Sequence, residues 1–274
     1  MTRADLDAAF TEAGAAAWGG IAYENLLPHM GEQARRQADA LVPHAAAVLV
    51  AAFPYFTGKI VGNLSVYARG ADYHSVLRAR LDTVCNFLRL EYPENTFLAA
   101  ADSSPLPERE AAWLAGMGLR GDNRLFILPP YGSYVFLGTI LTDAPLPLDE
   151  ATPAPRCMVC GRCRAACPTG ALQGKGICLS DLTQKKGALT AEEEALLKAH
   201  PYVWGCDLCQ VACPYNCDSK ISPLPEFEAD YLPDLIPEML DGLTNREFKE
   251  KFGHRAFAWR GAAVLRRNLE LKRE

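Results

Sequence analysis

No stretch of this sequence is built to cross a bilayer. The longest apolar run, Ala45–Phe53, is nine residues, against the roughly 20 that a spanning helix needs. The amino terminus, MTRADLDAAFTEAG, carries acids early and has no apolar core of the kind a secretory leader uses, which points to a cytoplasmic chain with no membrane partner. Basic charge is not in excess either. Lys and Arg number 28 against 33 Asp and Glu, a formal net charge of −5. No global positive field therefore advertises nucleic acid, and any such contact has to be local. The absence of internal repeats and low-complexity tracts excludes a solenoid. What remains is an ordinary globular composition, 49% hydrophobic and 22% charged over 274 residues, enough for one or two domains with a sizeable core.

What is there in quantity is cysteine. Nine of the ten cysteines fall in residues 157–217. In a reducing compartment that clustering favours metal binding over a disulfide framework. Cys157-x2-Cys160-x2-Cys163-x3-Cys167-Pro168 is the run of a bacterial two-cluster ferredoxin. Its short spacings bring three thiolates to three irons of one cubane, and the fourth cysteine is directed to the other cluster. A second run, Cys206-x2-Cys209-x3-Cys213-Pro214, has the last three ligands of the same pattern, but Val203 occupies the leading position. Cys178, in the intervening loop, can fill that vacancy. The spacing therefore assigns Cys157, Cys160, Cys163 and Cys213 to one [4Fe–4S] cluster, and Cys167, Cys178, Cys206 and Cys209 to the other. Structural zinc uses paired CxxC hooks and has no need of this phase twice. Cys217 is a spare, a bystander unless it replaces Cys213 or Cys178. Cys85 lies in a helical run and reads as a buried hydrophobe.

Three segments separate by composition: an N-terminal domain over 1–150, a ferredoxin-like domain over 151–220 and a helical segment over 221–274. AAAVLVAAF (45–53) and NTFLAAAD (95–102) read as strands. Leu77, Leu81, Val84 and Leu88 have helical spacing, which predicts an amphipathic helix over 73–92. REAAWLAGMG (109–118) reads as a short helix stopped by Gly118. RLFIL and SYVFLGTIL flank a Pro129-Pro130-Tyr131-Gly132 turn joining two strands. The proline- and acid-rich 143–156 reads as a linker. Thr190–Glu193 and Thr244–Glu247 are capping boxes opening helices. The fold class is α+β, with an α/β-like N-terminal domain whose sheet order the pattern leaves open. Polar clusters sit at Tyr67–His74, Ala101–Arg109 and Gly118–Asn123. Turns and caps account for any one of them singly, while strand ends also collect ligand groups.

These same segments carry a resemblance. YARGADYH (67–74), the stretch Asp102-Ser-Ser-Pro-Leu-Pro-Glu-Arg109, GLRGDNRLFI (118–127) and GSYVFLGTI (132–140) resemble the epoxyqueuosine reductase family, the cobalamin-dependent enzymes of tRNA queuosine synthesis. So do the cysteine runs, CLSDLTQKKG (178–187) and LTNREFKEKFGHRAFAWRG (243–261). The resemblance implies a base-off cobalamin between the N-terminal and cluster domains, with electrons passing through the two clusters to cobalt. It implies removal of the epoxide oxygen of epoxyqueuosine at the tRNA wobble position. Asp102 matches the family's proton donor, a role that suits a shielded carboxylic acid with a raised pKa. Tyr67, Asn123 and Ser180, with Asp102, match positions near the corrin, and no Asp-x-His-x-x-Gly run offers a histidine to cobalt. Arg109, Lys185 and Lys186 match positions that face tRNA. An external donor such as ferredoxin or flavodoxin and a monomeric state are implied as well.

Departures from the family pattern accompany the resemblance. Asp-Ser-Ser-Pro replaces Asp-Thr-Gly-Pro, Asp122 replaces a lysine, and the chain reads as a short form without the C-terminal helical-repeat domain. Residues 245–274 hold nine Lys and Arg against four Glu, a patch that suits RNA or a solvated helix equally. Two rival functions remain. One is a corrinoid reductase of a small molecule; the other is a ferredoxin-like electron carrier without catalysis of its own.

Overall fold

β-Branched and small apolar residues build the centre of the N-terminal sheet. The computed structural model describes every residue except Asp149, Ala151 and Glu274, and its chain divides into two compact units. The first comprises 1–55, 73–159 and 221–224; the second comprises 56–72, 160–220 and 225–274. This grouping differs from the three compositional segments, because 56–72 folds with the cysteine block and 225–274 joins the same unit.

In the first unit, α1 (Arg3–Glu12), β1 (Ala17–Ala22), α2 (Tyr23–Leu26), α3 (Glu32–Leu41) and β2 (Ala47–Pro54) come first. They are followed by α4 (Tyr73–Glu91), β3 (Phe97–Ala100), α5 (Glu108–Leu114), β4 (Leu119–Arg120), β5 (Phe126–Ile127) and β6 (Val135–Thr142). The main sheet has the order β1-β2-β6-β3, and every neighbouring pair is antiparallel. That settles the class as α+β. Every residue of β2 is buried, so it is covered on both faces, which explains its unbroken apolar run. Val50, Ala52 and Leu137 pack with Ala112 and Trp113 of α5 on one face. On the other face α4 lies close over β6: a Cβ at Gly138 would stand 2.7 Å from Leu81 Cδ1.

Local expectations mostly hold, with two corrections. Helix α5 stops at Leu114 rather than running to Gly118, and Gly116 takes the left-handed position after it (φ 73°). Gly118 is needed for another reason: it too is left-handed (φ 53°), and a Cβ there would overlap the Ile127 carbonyl oxygen. The 143–156 stretch is tied down rather than free. The Ala154 N–H donates to Trp113 O at 2.7 Å, and the Arg120 N–H donates to Pro155 O at 2.8 Å. Asp149 and Ala151 of that stretch lie outside the described residues.

Short helices make up the second unit: α6 (Arg162–Ala166), α7 (Leu179–Thr183), α8 (Ala191–Lys198), α9 (Leu208–Val211), α10 (Asn245–Phe252) and α11 (Ala262–Glu270). Both predicted capping boxes form, at Thr190 and Thr244. The segment 56–72 threads this unit. Its Ser65 N–H donates to Trp204 O at 2.8 Å, and the Trp204 indole N–H donates to the Tyr67 hydroxyl at 2.8 Å. Arg69 is fully buried and donates to the carbonyls of Leu64, Lys59, Val61 and Ile60. A desolvated guanidinium needs such saturation, since each unmet N–H would be costly.

Candidate functional site

Asp102 lies two residues past the end of β3, in a bend, with a left-handed backbone (φ 57°). Its carboxylate is exposed and turns toward the start of α4. Oδ2 accepts the Tyr73 hydroxyl at 3.0 Å and lies 3.3 Å from His74 Nε2. Tyr73 is held in place by stacking on Phe136 at 4.3 Å. The His74 hydrogen bond holds the Asp102 carboxyl below the usual carboxylate range; burial pushes the other way, and Tyr73, His74 and Arg109 add to the lowering. This corrects the expectation of a raised value, which considered burial and missed the donors. Among the described residues the carboxylate caps no backbone N–H.

The acid with a raised pKa is instead Glu108, the first residue of α5. Burial pushes it up to about 8; the Asp102 backbone N–H lowers it, and the Asp102 charge raises it by less. Its Oε1 accepts the Asp102 backbone N–H at 2.7 Å. Arg109 is exposed, and its guanidinium donates to the Arg124 carbonyl.

Asn123 sits in the turn between β4 and β5 and is buried. Its Oδ1 accepts the Leu125 N–H at 3.2 Å, while the buried Nδ2 finds no acceptor among the described residues. An orphaned buried amide of this kind fits a side chain meant to meet a polar cofactor edge. The preceding Asp122 donates its N–H to Cys157 Sγ at 3.2 Å.

In the second unit, Tyr67 is half-buried behind its bond from Trp204. The Ser180 hydroxyl meets Gln184 Nε2 at 3.4 Å. Lys185 and Lys186 part company. Lys185 Nζ is paired with both Glu193 oxygens at 2.6 Å, so its charge is already matched, whereas Lys186 is exposed.

None of the ten cysteines is paired in a disulfide. Burial pushes Cys206 and Cys209 up to about 12. Cys178 and Cys167 bear electrostatically on Cys206, and Cys206, Cys178 and Cys163 bear on Cys209. These interactions join Cys163, of the first expected set, to members of the second, so they bring the thiols near one another without separating the two sets. At Cys167 burial alone would raise the thiol, but the Leu172, Thr169 and Ala171 N–H groups and the Thr169 hydroxyl outweigh it and favour thiolate. Such N–H···S donors suit a cluster ligand, whose sulfur carries charge. Among the described residues, no group of three His, Cys, Asp or Glu side chains converges as a single metal ion requires. Cys217 is exposed, with only a long contact to the Cys213 carbonyl at 3.9 Å. Cys85 is buried in α4, pushed up to about 12 by burial, and inert.

A donor set of this kind defines an iron–sulfur protein, and the comparisons agree. Residues 156–216 match the 4Fe-4S double cluster binding domain, and 35–103 match the family model described as epoxyqueuosine reductase QueG, DUF1730. The epoxyqueuosine reductase of Gloeobacter violaceus is 32% identical over 267 residues, 92% of this chain and 83% of the relative. That of Listeria monocytogenes is 42% identical over 215 residues, 74% of this chain and 55% of the relative, and that of Bacillus subtilis 39% over 211. Among solved structures, an epoxyqueuosine reductase with an epoxyqueuosine-modified tRNA-Tyr stem loop superposes with a TM-score of 0.83. It is 29% identical, with 98% of this chain and 80% of that chain covered. A Bacillus subtilis structure of the same score has its aspartate catalytic loop swung out of the active site. The chain belongs to the epoxyqueuosine reductase family. It spans about half the length of the Listeria and Bacillus relatives.

Tyr73 and Glu108 were not singled out from sequence, although both stand inside the motifs. No pattern signal links them to Asp102, because the link is a tertiary contact. No helix among the described residues is long and apolar enough to cross a membrane.

Proposed function

We propose that this protein is a cytoplasmic, monomeric oxidoreductase that converts epoxyqueuosine to queuosine in tRNA. The observation that carries the reading is Asp102, placed in the matching loop with Tyr73 and His74 on its carboxylate. Epoxyqueuosine takes up two electrons and two protons and gives queuosine and water, so the chain must deliver protons without admitting competing reactions. Asp102 Oδ2 presents the carboxylate, and His74 Nε2, 3.3 Å away, can return a proton to it after each transfer. Tyr73 fixes the rotamer of Asp102, so the donor atom is pre-positioned. The aspartate loop that swings out in the Bacillus subtilis relative makes the corresponding loop here the natural gate.

The orphaned amide of Asn123 suits cobalamin, and Tyr67, Asp102 and Ser180 are the other positions that the resemblance matches to the corrin. When bound, it supplies a strongly reducing cobalt centre, and the two [4Fe–4S] clusters supply one-electron relays from an external ferredoxin or flavodoxin. Cys157, Cys160, Cys163 and Cys213 hold one cluster; Cys167, Cys178, Cys206 and Cys209 hold the other. Arg109 and Lys186 are the basic groups left to meet RNA, with Lys185 contributing if tRNA displaces Glu193.

The test is an anaerobic incubation of reconstituted protein with cobalamin, a strong reductant and an epoxyqueuosine-containing stem loop. Mass spectrometry of the nucleoside should show loss of one oxygen. No loss, with clusters and cobalamin both verified, would reject the substrate. The small-molecule rival is favoured by the pairing of Lys185 and by Asp122, an acid where the family has a cation. It predicts cobalamin binding with no affinity for the stem loop.

A further inference from the structure

The strained point of the site is the backbone of Asp102. A left-handed conformation at an aspartate persists only where the surroundings hold it. The turn makes three bonds of its own, from the Ser103 N–H to Ala101 O, from the Ser104 N–H to Asp102 O at 2.9 Å and from the Leu106 N–H to Ser104 Oγ at 3.1 Å. None holds the Asp102 N–H. That group is bound by Glu108 Oε1 at 2.7 Å. Glu108 in turn is the first residue of α5, whose Ala112 and Trp113 are packed against β2 and β6. Tyr73 and His74 hold the Asp102 side chain and Leu106 packs in the core, while the Asp102 backbone N–H is tied to α5 by one carboxyl oxygen of Glu108.

We propose that Glu108 is a positioning residue: its side chain latches the Asp102 loop and so sets where the proton-donating carboxyl stands. This rests on the reading of Asp102 as the acid of the reaction. The raised pKa of Glu108, about 8, agrees with the geometry. Near neutral pH the latch is mostly uncharged and does not repel the Asp102 carboxylate. The Asp102 N–H that Glu108 accepts favours its ionised form more than the Asp102 charge opposes it, and His74 and Arg109 favour it as well, so the latch bond holds in either charge state.

Hydrogen exchange on the cluster-reconstituted chain tests the latch without any substrate. In Glu108→Ala the amides of 101–106 should exchange about tenfold faster or more, with β2 and β6 unchanged. Glu108→Gln, which keeps a carbonyl oxygen and is neutral, should restore most of the protection. Loop protection unchanged in the alanine variant, or no recovery in the glutamine variant, would overturn the proposal. The second measurement is turnover on the epoxyqueuosine stem loop. Glu108→Ala should lose roughly ten- to a hundredfold in kcat with a smaller change in KM. If the alanine variant does not fold, the exchange comparison of wild type with Glu108→Gln decides, and loop amides left unprotected in the glutamine variant would sink the idea. An inactive wild type would instead remove Asp102 from the mechanism, leaving the exchange result to decide the latch.

Discussion

The influences on the charge of the Asp102 carboxylate do not agree. The His74 and Tyr73 hydrogen bonds favour the anion and prevail over burial, which favours the neutral form. A general acid ionised at rest must be recharged, and the imidazole beside it is placed to do so. Asp102→Asn should keep both clusters and cobalamin yet lose turnover by on the order of a hundredfold or more. Near-normal turnover would remove the carboxyl from the chemistry. His74→Phe removes the largest lowering influence, so the Asp102 pKa should rise. Followed by carbon NMR of the carboxyl, the titration should move to higher pH; an unmoved titration would mean the hydrogen bond does not form in solution. The sign is that of a depressed acid. Whatever stability the His74 bond lends is present above the unfolded-state pKa and is lost as pH falls through the folded one.

At the scale of elements, the boundaries that local chemistry dictates were legible and the pairings were not. The apolar run of β2, the Leu77–Leu88 spacing of α4 and the two capping boxes each depend on a few adjacent residues. The insertion of β6 between β2 and β3 depends on residues some 90 and 40 positions apart, by the register Val50↔Thr139 and Ala99↔Ile140, and no local pattern encodes that. The same holds for the site. The cysteines announce themselves by spacing, but Asp102 meets His74 across 28 residues, so its titration was misjudged. In the hairpin of β4 and β5, which carries Asn123, Gly118 stands just before β4 and packs against the Ile127 carbonyl of β5. Gly118→Ala forces a left-handed alanine whose Cβ overlaps the Ile127 carbonyl, and should cost about 1–3 kcal/mol. Thermal unfolding checks it, and an unchanged Tm would show that the hairpin relaxes freely.

For the whole molecule the cluster content is the plainest quantity. Anaerobic reconstitution should yield about eight irons and eight sulfides per chain, as two cubanes require. Cys178→Ala should lose about half the iron and Cys217→Ala none. Reversed results would exchange the roles of these two thiols, and stoichiometric zinc without sulfide would reject the clusters altogether.

The threading of 56–72 through the second unit also has a consequence in time. Asn63 bonds Asp234 and Leu235 at 2.8 Å across 171 and 172 residues, and Arg255 donates to the Arg69 carbonyl at 2.7 Å. On a ribosome adding about 5–20 residues per second, the early segment emerges roughly 10–30 s before its partners exist. Through that interval the cysteine block lacks part of its scaffold. The stretch 157–217 would therefore be a poor candidate for expression as a free-standing ferredoxin. In the cell, iron and sulfide are best delivered after α11 has left the ribosome.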